Sequence, residues 1–459
     1  MAPDDNGDQT PMPASQDDSL SLLGDLIAQA RKAGADSADA VLFDSVSLSL
    51  SQRLGKPEKL ERAESGDLGL RVFVGRRMAM VSSSDRKPAA LKELVERAVA
   101  MARNVPEDPF CGLADPDSIA RTWPDLDLDD PREPAAETLI EQARIAEETA
   151  LAVDGVTNSE GAEANWGRVG IVMVGSNGFA GGYTVSSRSL SVSVIAGEGT
   201  AMETDYDWTS AVYAEDMEDA AAIGRRAGER AVRRLGARKV ATARVPVVFD
   251  PRVANSLLRH LVGAISGPAI ARGTSFLKDR LGDQVFAAGI RIVDDPHMPR
   301  GRRSKPFDGE GMPNRRREIV EDGRLTTWLL DLRSARQLGL ETTGHAARGT
   351  ASPPSPSPSN LYMEPGPVSP EELISDIESG FYVTQMMGSA VNGLTGDYSR
   401  GATGFWIERG QIAYPVSEVT VAGNLKDMFL RLRPANDLVF RTGLDAPTIR
   451  IDNMTVAGK

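Results

Sequence analysis

The sequence predicts an α+β protein: an amino-terminal α/β region with helices laid on a sheet, followed by a β-rich carboxyl-terminal region. Two patterns carry this expectation. Up to Leu235, segments with apolar residues at helical spacing are interleaved with alternating, strand-like segments. Beyond Ile265 the chain is strand and loop, punctuated by Gly, Pro and Asp-Gly turn signals. A third observation sets the scale. The 459 residues are 41% hydrophobic and 25% charged, as in an ordinary globular protein with room for two or three domains.

The elements follow in order. Asp4, Asp5, Asp8, Asp17 and Asp18 occupy a start without Lys or Arg, so residues 1–18 read as a frayed acidic tail rather than a secretory signal. A first helix begins near Asp18-Ser19, with Leu22, Leu23, Leu26, Ile27 and Ala30 on one face and Gly34 at its end. Strands are expected at Val41–Leu50, Leu68–Val74 and Met78–Val81, then a helix over Pro88–Arg103. Pro106–Pro134, rich in Pro and Asp, reads as a long surface loop, and Ala135–Val153 as a helix. Val156–Val212 is strand with an Asn177-Gly178 hairpin signal. Glu215–Leu235 is expected as helix, Val245–Phe249 as strand and Pro251–Ile265 as helix. Leu325–Leu330 reads as strand, and Trp406-Ile407 is expected to pair with Ile412–Tyr414 across Arg409-Gly410. The alternating Ser and Pro of Ser352–Ser359 read as a polyproline-like spacer. The division expected is residues 1–18 as tail, 19–235 as the α/β domain and 236–459 as the β-rich domain.

Composition narrows the function. With 52 Lys and Arg against 65 Asp and Glu the net charge is −13, which argues against a nucleic-acid partner. No apolar run reaches the roughly 18 residues of a membrane span. The single Cys111 excludes an intramolecular disulfide and a cysteine-built zinc knuckle. Its acidic neighbour Asp108 should raise the thiol pKa, the wrong direction for a nucleophile. A cytoplasmic protein is the expectation.

Candidate chemistry is sparse. His260, His297 and His345 are the only histidines. A His-Glu-x-x-His zinc helix needs two imidazoles on one face and a Glu beside the first. His260 has Leu261 beside it, and Ala264 and Ile265 where a second ligand would stand. It therefore reads as a core or interface histidine. His297 follows Asp294-Asp295-Pro296, either an Asp/His site or a solvated turn, and His345 has no local partner. Arg300, Arg302, Arg303, Lys305 and Arg315–Arg317 form the strongest basic run. It reads as a solvated loop offset by the acidic Pro106–Pro134 stretch, with an anion or acidic-peptide contact as the alternative. Gly388, Gly393, Gly396, Gly401 and Gly404 imply tight turns around a cavity. Asn392, Asp397, Tyr398 and Arg400 would line that cavity or serve the turns.

Several segments resemble one family, the TldD/PmbA proteins, also called modulators of gyrase. They are Gly69–Val74 with Ser82–Asp85, His260–Gly267, Ser275–Leu277 with Leu281-Gly282, Phe307–Gly311, Ser355–Tyr362 and Val421–Met428. Their order is the family's, and they look most like its PmbA (TldE) branch. The resemblance implies an α/β amino-terminal region, a β-rich carboxyl-terminal region and a dimer enclosing a chamber. In the TldD branch a His-Glu-x-x-x-His motif and a carboxyl-terminal Cys bind zinc for degradation of unfolded peptides. This chain keeps His260 but has Leu261 at the Glu position and no carboxyl-terminal Cys.

The expectation is thus a non-catalytic PmbA-type subunit with no cofactor of its own, its zinc supplied by a TldD-type partner. Its substrate-binding candidates are His260, Asn392, Asp397, Tyr398 and Arg400. The alternative is a stand-alone homodimer that binds peptides without proteolysis.

Overall fold

A computed structural model describes residues 16–459. Residues 1–15 of the expected tail lie outside the described residues. The order begins α1 (Gln16–Lys32), β1 (Ser37–Arg53), β2 (Lys56–Val74), β3 (Arg77–Ser83), α2 (Pro88–Asn104), α3 (Ala136–Leu151). It continues β4 (Val156–Gly175), β5 (Ala180–Ala196), β6 (Glu203–Ala211) and α4 (Ala220–Arg233). These strands form a six-stranded sheet in the order β3-β2-β1-β4-β5-β6, paired antiparallel throughout.

The helices cover this sheet in two pairs. Leu23, Leu26 and Ile27 of α1 and Leu91, Leu94 and Val95 of α2 share one core with Leu42, Leu70 and Val72. α3 and α4 cover the other half through Leu139, Ala143, Ile223 and Ala227, against Trp166, Leu190 and Val192. The second pair is drawn close by small residues. A Cβ at Gly224 would stand 2.1 Å from the carbonyl oxygen of Ala146, so only glycine allows that approach.

The carboxyl-terminal region runs β7 (Ala243–Phe249), α5 (Pro251–Ile265), α6 (Gly267–Ala271), β8 (Ile292–Asp295), β9 (Arg317–Glu321), β10 (Arg324–Leu325), α7 (Leu332–Leu338). Next come β11 (Ala346–Ala347), β12 (Ser355–Pro356), β13 (Asn360–Met363), α8 (Pro370–Ile374), β14 (Ser379–Val391), β15 (Asp397–Glu408) and β16 (Gln411–Asn424). The chain ends with α9 (Leu425–Arg431), β17 (Leu432–Pro434), β18 (Leu444–Asp445) and β19 (Ile449–Ala457). A six-stranded sheet has the order β16-β15-β14-β7-β19-β17, and an added β16–β19 pairing closes it into a barrel. A five-stranded sheet, β10-β9-β8-β13-β18, packs nearby. One continuous core joins barrel, α5 and the smaller sheet through residues such as Phe249, Leu257, Leu261, Leu361, Phe381 and Phe429. No helix among the described residues is long and apolar enough to cross a membrane.

The α+β class is as the sequence predicts, and Trp406 and Ile407 do pair with Tyr414 and Ile412. Several boundaries differ for physical reasons. α1 already begins at Gln16. β2 starts at Lys56, because its first half is a charged, exposed ribbon arm that pairs with β1 and carries no apolar alternation. α4 starts at Ala220, where Asp219 caps it by accepting from the Ala222 amide. Of the Leu325–Leu330 strand only the Arg324–Leu325 pairing and a single parallel bridge from Leu329 to Ser266 form.

Pro106–Pro134 lacks helix and strand but is not merely a surface loop. Leu126, Leu128 and Asp130 are buried. Arg336 binds the carbonyls of Phe110, Gly112 and Leu113. The Ser/Pro segment is no spacer either. β12 pairs with β11, and the buried Ser359 gives its amide and hydroxyl to Asp294 at 2.7 and 2.6 Å. The basic run is a solvated loop only in part, at the exposed Arg315 and Arg316. Arg302, Arg303 and Lys305 are half-buried, and Arg300 alone pairs with the acidic stretch, through Asp127 at 2.6 Å.

Candidate functional site

The site is built on the outer face of α5. Asp250 caps the helix by accepting from the Arg252 amide at 3.0 Å, and Pro251 supplies a preset first turn. Leu257, Leu258, Leu261, Ala264 and Ile265 turn into the core. That leaves Ser256, Arg259, His260 and Gly263 on the opposite side. His260 is half-buried and meets the ring of Tyr398 edge-on, centroids 5.7 Å apart. Its Nε2 is buried without a hydrogen-bond partner. Burial first, and the neighbouring positive charge of Arg400 second, depress its pKa to about 4, so the imidazole is neutral at pH 7.

The wall facing α5 comes from β14 and β15. Their pairing is interrupted by a bulge between Met387 and Ala390. Gly388 takes φ +67° there, a conformation glycine adopts without a Cβ penalty. The bulge aims the Gly388 carbonyl at Arg400, whose Nε donates to it at 2.8 Å. The Tyr398 hydroxyl donates to Met386 Sδ at 3.4 Å, and Ser256 Oγ lies 3.9 Å from the same sulfur. Burial raises the Tyr398 pKa, so the phenol stays protonated. On its other side β14 meets β7 only over Phe381–Val383. Among the described residues, the edge from Gln385 to Val391 pairs with no strand but β15. Open main-chain donors and acceptors therefore run beside the His260 face.

The site does not fit a zinc ion. Leu261 and Ile265 are 0% exposed and Ala264 6%, and all three lie on the core side of α5, where neither a catalytic carboxylate nor a second imidazole would reach the His260 face. Among the described residues, no group of three or more His, Cys, Asp and Glu side chains is placed to hold a metal. A hydrolytic zinc needs about three protein ligands and an activating base.

The structure brings His260, Tyr398 and Arg400 together. Asn392 and Asp397 sit at the exposed tip of the β14–β15 hairpin. Asn392 Oδ1 accepts from the amides of Leu394 and Thr395 at 2.9 and 3.2 Å. Asp397 accepts from Thr395 Oγ1 and Asn424 Nδ2 at 2.6 and 3.0 Å. Met386 and Ser256 escaped the sequence reading, because no local pattern shows that a barrel strand will face α5. The other histidines lie elsewhere. His297 Nε2 is 2.7 Å from Asn314 Oδ1, and His345, buried, is 3.2 Å from Asp294. The long-range partner of His345 is invisible in the chain order. Burial and then Asp108 raise the Cys111 pKa.

Family models cover most of the chain. They match residues 38–102 as PmbA/TldA metallopeptidase domain 1, 129–235 as the central domain and 242–458 as the C-terminal domain. The chain belongs to the PmbA/TldD metallopeptidase family. It is 39% identical to Metalloprotease PmbA of Escherichia coli O157:H7 over 428 residues, 93% of each chain. It is 38% identical to Metalloprotease PmbA homolog of Haemophilus influenzae, over 94% of each. A Bacteroides thetaiotaomicron crystal structure named as a modulator of DNA gyrase superposes with TM-score 0.90 at 29% identity, covering 96% of this chain and 99% of that one. TldE from Thermococcus kodakarensis shares the fold, with TM-score 0.85 at 20% identity, over 95% and 100%.

Proposed function

We propose that this chain is the PmbA/TldE-type, non-catalytic subunit of a cytoplasmic TldD-type zinc metallopeptidase that acts on unfolded peptides. The carrying observation is the fate of α5. Its sequence retains one imidazole, while the other motif positions are held by Leu261 and by Ala264 or Ile265, all buried. The zinc, the general base and the cleavage would come from the partner subunit.

This chain's part is to hold the substrate. The open β14 edge offers main-chain hydrogen bonds to an extended peptide, a mode that tolerates many sequences. The neutral His260 and the Arg400 guanidinium border that edge without needing a proton or metal of their own. Tyr398 and Met386 give the groove an apolar floor. The family membership and the metalloprotease names of the relatives support the peptidase part of this reading.

Mixing experiments test it. Chain and partner, each purified alone, are mixed with an unfolded peptide, and cleavage is followed by mass spectrometry. Cleavage in the mixture and none by this chain alone is the expected result. Peptide binding by a homodimer, with no partner ever recruited, would instead support the stand-alone binding protein.

A further inference from the structure

Several buried or half-buried arginines elsewhere in this chain face carboxylates, whereas Arg336 and Arg400 are met by backbone carbonyls. Arg71 lies against Asp39, Arg226 against Asp207 at 2.6 Å, and Arg252 against Asp205 at 2.7 Å. In the basic loop, Arg300 is saturated by Asp127, Glu215 and Asp216. Its neighbours Arg302 and Arg303, and Arg317 on β9, are half-buried yet form no ion pair among the described residues. Arg303 reaches only Ser357 Oγ, at 3.2 Å, and Arg317 only the Thr343 carbonyl, at 3.1 Å.

The topology brings two of these cations, Arg303 and Arg317, into the field of one carboxylate, Asp294. Arg317 stands opposite Asp294 in the β8–β9 ladder. The Arg303 amide donates to Asn360 Oδ1 at 2.9 Å, at the start of β13, the next strand over. Asp294 acts on both guanidinium groups, but its oxygens are occupied by Ser359 and His345. Arg259, the residue before His260, acts on Arg303 with the same sign of charge. The cluster therefore adjoins the α5 face and carries excess positive charge. Burial depresses the pKa of Arg302, Arg303 and Arg317 alike, yet a guanidinium does not give up its proton near neutrality. The half-desolvated charge calls for an outside anion.

We infer that Arg303 and Arg317, with Arg302 next in the chain, form a receptor for a carboxylate of the bound peptide, beside α5. The inference rests on the peptide-holding role proposed above and adds the chemistry that selects the peptide. A guanidinium cluster suits a carboxylate because its fork donates two parallel hydrogen bonds. The carboxylate has two sources, the peptide's free C-terminus or an acidic side chain. The net charge of −13 favours a peptide over a nucleic-acid backbone as the anion's carrier.

Fluorescence polarisation on the full chain separates these. Three labelled ten-residue unfolded peptides are compared: one with a free C-terminus and no Asp or Glu, its C-terminal amide, and the amide with one internal Glu. Loss of about tenfold or more in affinity on amidation, scaled to a charge-assisted hydrogen-bonded pair, identifies the terminal carboxylate. Recovery by the internal Glu identifies an acidic side chain. In either case Arg302→Ala with Arg303→Ala should erase the preference, and Arg300→Ala, whose charge is already paired, should leave it intact. Equal affinities for all three peptides, or an undiminished preference in the double variant, would overturn the receptor while leaving peptide holding in place. No binding of any peptide would defeat both readings. Displacement of peptide by a single-stranded oligonucleotide at lower concentration than by free acidic peptide would also overturn it.

Discussion

Asp294 is the most informative single position for stability. Its side chain is 1% exposed and accepts from the Ser359 amide at 2.7 Å, the Ser359 hydroxyl at 2.6 Å and His345 Nε2 at 3.2 Å. Burial works against the charge, but His345, Ser359 and the field of Lys305 outweigh it and hold the carboxyl below its usual pKa. Asp294→Ala strands two donors of Ser359 and the His345 ring in a dry site. Breaking a buried pair from one side costs about 3–5 kcal/mol. For a cooperative unit of 150–250 residues that is a fall of about 6–20 °C in Tm. Scanning calorimetry reads the shift, and limited proteolysis of residues 349–358 reads the loss of the anchor that ties the Ser/Pro segment to β8. Because the folded pKa is lowered, this stabilisation is present above pH 3.8 and disappears as acid protonates the native carboxylate. An Asp294→Ala protein melting within about 2 °C of the parent, with the segment uncut, would refute the reasoning.

Three further outcomes are expected. Leu261→Glu should not restore a zinc base: the position is 0% exposed, so the variant loses several kcal/mol (about 3 or more) and gains no bound zinc by elemental analysis. Glu310 is raised to about 7, mainly by burial and against the pull of Arg71, so its linkage has the opposite sign to that of Asp294. The unfolded chain ionises first, and native stability falls as pH rises from 4.5 towards 7; Glu310→Gln should flatten that slope in urea titrations. Gly404→Ala should cost about 1–3 kcal/mol by chemical denaturation, because its Cβ would stand 1.9 Å from the Tyr382 carbonyl oxygen across the β14–β15 ladder.

The amphipathic elements were legible because burial writes a period into the chain. Leu91, Leu94, Val95 and Ala98 mark α2, and each is buried. α5 was readable to the residue, since Asp250-Pro251 opens it and its apolar face is unbroken. The charged half of β2 was not, because a ribbon exposed on both faces has no reason to alternate. The Ser/Pro segment misled for a different reason. Low complexity suggests a chain with nothing to bury, yet Ser359 is fixed by Asp294, 65 residues away in sequence. The basic run misled likewise: composition shows charge, whereas the half-burial of Arg302 and Arg303 comes from packing around β8, β9 and β13. At the site, the apolar Leu261 beside His260 and its place on the core side of α5 were plain in the sequence. The bulge at Gly388 that turns its carbonyl towards Arg400, and the open edge of β14, required the barrel.

The central claim is that this chain shapes a peptidase without supplying its hydrolytic centre. Elemental analysis of the purified chain, of a TldD-type partner and of their complex, joined to a peptide-cleavage assay on the same three samples, tests it most directly. The account predicts zinc in the partner and the complex, none in stoichiometric amount in this chain, and cleavage only by the complex. One equivalent of zinc in this chain by itself, together with zinc-dependent cleavage of an unfolded peptide, would contradict it.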